Sequence, residues 1–104
     1  MTVIRERIPP RFDLLAAEAG LPTESLLGRR DQEPLDSTTA CGLFQLGEQE
    51  IRLVVLRRGR KGIEELLSRT YNNLSRARTA LIGLSDMSRQ GRLEEGLRDL
   101  SMRV

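Results

Sequence analysis

The spacing of apolar positions along this chain changes several times, and each change predicts a different element. From Arg11, the run RFDLLAAEAG sets Phe12, Leu15, Ala16 and Ala19 three and four apart, which is one face of a short helix ended by Gly20. Pro22 suits the first turn of a second short helix, TESLLGRR, closing near Gly28. The polar run DQEPLDSTT contains Pro34 and reads as a loop over residues 31–39. The runs CGLFQL and IRLVVLR then flank a polar turn at residues 47–50 and predict a β-hairpin. In the second run Ile51, Leu53 and Val55 alternate with Arg52, Val54 and Leu56, so both faces are apolar near its middle and both need cover.

The longest regular pattern follows. Ile63, Leu67, Thr70, Leu74, Ala77, Leu81 and Leu84 step by four and three alternately, the a/d stripe of a long packed helix or a coiled coil, widened by Leu66, Tyr71 and Ile82. Ser85 and Asp86 offer cap oxygens for a further helix, in which Leu93, Leu97, Leu100 and Val104 repeat the stepping. Gly83 and Gly91 bracket the turn, and the phase slips by two residues between Leu84 and Leu93, so the second helix folds back on the first. The expected fold is therefore α+β and mostly helical: two short N-terminal helices, a β-hairpin and a C-terminal antiparallel helical hairpin. Residues 1–10, with Pro9 and Pro10, read as an N-terminal arm, and residues 11–104 as a single small domain.

Composition narrows the chemistry. A chain of 104 residues supports one modest core. With one Tyr, two Phe and no Trp, that core must be built from Leu, Ile, Val and Ala. Charged residues make up 31% of the chain, so much of the surface is charged, yet the net charge is only +2, too small to argue by itself for nucleic acid. Lys61 is the only lysine among 17 basic residues; the rest are arginines, suited to forked contacts with carboxylate or phosphate. With no His and one Cys, neither a zinc ligand set nor an intrachain disulfide can be assembled. Cys41 reads as a strand-facing core thiol, and reducing surroundings, hence a cytoplasmic location, are expected. The segment MTVIRERIPPRFD carries charges at Arg5, Glu6 and Arg7 and has no secretory apolar core. No apolar stretch nears the roughly twenty residues that cross a bilayer.

Catalysis is disfavoured, because the absence of His removes the commonest general base. The pairs Glu64, Glu65 and Glu94, Glu95 are helix neighbours that point about 100° apart and suit the positive ends of helix dipoles. No GxxxxGK[ST] or GxGxxG phosphate cradle occurs. The chain is expected to be non-enzymatic, without cofactor, metal, membrane contact or small-molecule substrate.

Two binding functions remain. The first is regulatory binding to another protein, as antagonist, chaperone-like accessory or adaptor, by a homodimer whose interface is the stripe at Ile63, Leu67, Leu74, Leu81 and Leu84. The second rests on Leu15 and Ala16, then Gly20 and Leu21, then Leu26, which resemble the helix-turn-helix pattern of DNA-binding regulators. That resemblance implies a groove-facing helix over residues 23–30, with Arg29 and Arg30 reaching phosphate or guanine and the hairpin as a wing. Arg57, Arg58, Arg60 and Lys61 form a basic corner that could add phosphate contacts, without the aromatics that stack on single strands.

Overall fold

A computed structural model describes residues 10–102; the arm expected over residues 1–10 thus lies outside the described residues except for Pro10. The elements run α1 (Phe12–Glu18), β1 (Gln32–Pro34), β2 (Thr39–Gly47), β3 (Glu50–Gly59), β4 (Gly62–Tyr71), α2 (Leu74–Arg89) and α3 (Leu93–Met102). The strands form one antiparallel meander in the order β1-β2-β3-β4. The fold is α+β, but the mostly helical architecture with a two-stranded hairpin is overturned.

The physical reason lies in β3. Its backbone bonds β2 on one side and β4 on the other, and its side chains pack on both faces. Cys41, Leu43, Ile51, Leu53, Val55 and Leu67 face α2 and α3, where Ala77, Leu81, Leu84, Leu93 and Leu97 cover them. Val54 and Leu56, with Ala40 and Phe44 of β2, face the other way and are covered by Phe12, Leu15 and Ala16 of α1. A two-stranded hairpin would leave β3 with one unpaired edge, whereas the meander pairs both.

The expected long helix over residues 63–84 is half strand. Gly59 pairs with Gly62 across Arg60 and Lys61, and Gly62 takes φ +126°, a conformation that favours glycine at this turn. The chain therefore reverses onto β3, and ladder hydrogen bonds override the local periodicity. A β-bulge on β4 absorbs one residue: Val55 pairs with Leu67 and Leu56 with Glu65, which leaves Leu66 extra. Ile63 consequently packs with the α1 cluster, while Leu67 enters the α2 and α3 cluster. Spacing by four mimicked a helix because the bulged strand also brings both residues into apolar surroundings.

Three further boundaries move. The second short helix is absent: residues 23–25 make a single 3₁₀ turn, Leu26 bridges to Phe44, and the Leu27 N–H donates to the Leu43 carbonyl (3.0 Å). Another 3₁₀ turn at Arg29–Asp31 leads straight into β1, so the loop expected over residues 31–39 is partly strand. At the C-terminal end, α2 starts at the Asn73 cap, whose side chain accepts from the Arg76 N–H (2.8 Å), and runs through Ser85 and Asp86 without a break. The turn comes at Gly91, with φ +72°, and Val104 lies outside the described residues.

Two contacts lock the layers. Asp31 is buried and accepts a forked pair from Arg78 of α2, 2.7 Å from Nε and 3.1 Å from Nη2. On the opposite face the Phe12 ring lies directly over Gly42 and meets Phe44 edge-on, with centroids 5.7 Å apart. A Cβ added at Gly42 would sit 2.3 Å from the Phe12 ring. Gly42→Ala is expected to destabilise the protein by about 1–3 kcal/mol by displacing α1. Thermal unfolding of the single variant, and of the double variant with Phe12→Leu, checks this; the double variant should recover part of the loss.

Candidate protein-binding groove

The helix α2 has sixteen residues and α3 ten, so α3 is shorter by about two turns. The two pack closely where Gly96 of α3 meets Leu84 and Met87 of α2; a Cβ there would approach both side chains to 3.3 Å. Beyond that contact lie the first turns of α2 and, among the described residues, the end of α3 at Met102. A groove of 840 Å³ opens in the gap. Its apolar lining comes from Tyr71 at the end of β4, Ala80, Leu84 and Met87 of α2, and Leu100 of α3. Gln49 from the β2–β3 turn, Asn72, Arg76 and Asp99 supply hydrogen-bonding groups around it.

On the α2 wall stand Ser75, Thr79 and Gly83, four residues apart and exposed. The Thr79 hydroxyl donates to the Ser75 carbonyl (2.9 Å), which holds that side chain against its own helix. Among the described residues, nothing lies within 4 Å of a Cβ built on Gly83. At the other end Arg69 ties strand to helix: its Nη1 donates to the Leu100 carbonyl, and its guanidinium carbon lies 5.5 Å from the Tyr71 ring centroid. A neighbouring cavity of 500 Å³ lies between β4 and the end of α3, lined by Leu66, Leu67, Ser68, Arg69, Thr70, Leu100 and Ser101.

The stripe chosen from the sequence is placed elsewhere. Leu67, Leu81 and Leu84 are buried in the chain's own core, and Leu74 packs against it half-buried. Ile63 sits on the opposite face of the sheet. Only Leu84 also lines the groove. The groove residues that the sequence reading missed, Ala80, Gly83, Met87 and Gly96, lie on the two helices between the stripe positions. Their one sequence-level signal was Gly83, a helix breaker inside an otherwise regular helical pattern, which was read as part of a turn.

The basic residues do not converge. Arg29 and Arg30 are exposed on the 3₁₀ turn before β1, whose Gln32 pairs with Gly42, while Arg57 pairs with Thr39 at the far end of β2. Arg57 donates to Glu94 (2.9 Å) and Thr39 (3.0 Å), with Asp36 3.8 Å away, and Arg58 pairs with Glu18 (2.8 Å). Burial raises the Asp36 pKa, but hydrogen bonds from the Thr38 N–H and from the Thr39 and Thr38 hydroxyls, with Arg57, outweigh it and hold the carboxyl below 3.8. These arginines are thereby spent on joining sheet to helices, and Arg60 and Lys61 form the exposed β3–β4 turn. Without a helix over residues 23–30, the helix-turn-helix reading has no groove-facing element.

Among the described residues, no group of three His, Cys, Asp or Glu side chains is placed to hold a metal ion. No helix among them is long and apolar enough to cross a membrane. No protein-family model, no curated protein and no solved structure matches this chain.

Cys41 is fully buried in β2, away from the groove, and burial pushes its thiol up from 9.0 to about 12, with Glu33 adding to the rise. The native protein should therefore react with iodoacetamide only as fast as it opens. An unfolded chain ionises this thiol near 9.0, whereas the folded chain keeps the proton to about 12. Stability should fall as pH rises through that window, and Cys41→Ala should flatten the fall. Urea titrations on either side of 9.0 measure it.

Proposed function

We propose that this chain is a non-enzymatic, cytoplasmic protein-binding module that holds a segment of another protein in the groove between α2 and α3. The observation that carries this reading is Gly83. A glycine in a helix interior costs about 1 kcal/mol relative to alanine, and here no contact among the described residues requires the missing side chain. The space is of use to something that lies against α2. The lining suits a polypeptide: Tyr71, Ala80, Leu84 and Leu100 supply apolar cover, while Asn72, Arg76 and Asp99 supply hydrogen bonds at the border. The groove is not an enclosed cavity, so a chain segment can enter it. A lone buried thiol fits the reducing cytoplasm.

Gly83→Trp tests this reading without disturbing the fold, because the position is open and the substitution favours the helix. Peptides selected from a displayed random library on the wild-type protein should bind Gly83→Trp at least about tenfold more weakly, a loss of roughly 1.4 kcal/mol. Amide chemical-shift changes on binding should centre on Tyr71, Ala80 and Leu100. Equal affinity for the variant, or a library that yields no binder, overturns the assignment.

A further inference from the structure

Three of the four carboxylates on α2 and α3 are paired with arginine: Asp86 with Arg89 (3.8 Å), Glu94 with Arg57 (2.9 Å) and Glu95 with Arg92 (2.7 Å). Asp99 is the fourth, and its carboxylate forms no ion pair or hydrogen bond among the described residues. The Arg76 guanidinium likewise has none, although the Arg76 backbone N–H is held by the Asn73 cap (2.8 Å). Both side chains are exposed and both line the groove, Arg76 from the α2 wall and Asp99 from the α3 wall.

A free donor on one wall and a free acceptor on the other define what an occupant must offer. It has to present an acceptor to Arg76 and a donor to Asp99 at once. A single charged side chain answers one wall and leaves the other unmet. Every peptide unit outside proline carries both groups, and because the unit is planar and trans its C=O and N–H point in opposite directions. Within a helix those groups are bonded to one another, so an extended segment is the one that has them to give. Both contacts would be charge-assisted, which makes each about twice as strong as a neutral hydrogen bond.

We propose that Arg76 and Asp99 grip one peptide unit of an extended partner segment, Arg76 donating to its carbonyl oxygen and Asp99 accepting from its N–H. At this point the groove reads main chain, so it accepts varied side chains there and rejects proline. The clamp rests on the assignment of the groove to a polypeptide partner and adds which part of that partner is held.

Peptides selected on the wild-type chain from a displayed random library, then resynthesised with each main-chain nitrogen methylated in turn, test the clamp. One methylation should weaken binding to wild type about tenfold or more. The same methylation should change binding to Asp99→Ala by less than about twofold, because the N–H has already lost its acceptor. Asp99→Asn, which keeps an acceptor oxygen, should bind the unmethylated peptide more tightly than Asp99→Ala does, and Arg76→Ala should weaken every selected peptide whatever its sequence. Both positions are exposed, so these variants keep the fold. Peptides that lose affinity on Gly83→Trp but show no methylation coupled to Asp99 overturn the clamp and leave the groove assignment standing. A shared acidic or basic side chain whose removal couples to Arg76 or Asp99 does the same, as does an Asp99→Asn variant that binds no better than Asp99→Ala. Equal binding by wild type and Gly83→Trp, or a library that yields no binder, overturns clamp and groove together.

Discussion

Strand β3 carries Leu53, Val54, Val55 and Leu56 in succession, all buried. Such a strand survives in water only if layers cover both its faces and strands bond both its edges, because an unpaired buried backbone group costs as much as a lost hydrogen bond. Everything else in the molecule answers that demand. The meander supplies β2 and β4 at the edges, α2 and α3 close one face, and α1 closes the other. The two sides are unequal: α1 is short and needs Gly42 to bring Phe12 close, whereas α2 spans the sheet and is anchored to the segment before β1 by Asp31 and Arg78.

The candidate binding groove is a by-product of how that cover is arranged. Among the described residues α3 is shorter than α2, and the groove between them has Leu84 of the core and the partly buried Tyr71, Ala80 and Leu100 in its lining. Among the described residues the meander ends at β4. Arg69 borders the groove, bonded to the end of α3 and over Tyr71.

Charge serves architecture more than recognition in this chain. Arg57, Arg58 and Arg78 each pair with a carboxylate from another element. A cluster that reads in sequence as a basic corner is dispersed once its acidic partners, Glu18, Asp36 and Glu94, arrive from remote parts of the chain. Each exposed pair contributes little by itself, since solvent screens it. Together they orient sheet and helices.

The amino-acid sequence alone determined the short elements whose signals are local: α1 with its glycine stop, the turn at residues 47–50, the buried thiol at Cys41, and a β3 that needed cover on both faces. It also revealed the last helix, because apolar residues three and four apart have no other regular use there. It misread residues 62–71, where Ile63, Leu67 and Thr70 fit a helical stripe and a bulged strand equally well. Only tertiary structure decided between them, because the hydrogen bonds to β3 that favour the strand come from residues distant in sequence. The same holds for the sites: Leu67, Leu81 and Leu84 were legible as apolar, but whether they face a partner or the core depends on what packs over them. The groove is a place where packing among the described residues stops, and nothing in the residues themselves marks where a layer will run out.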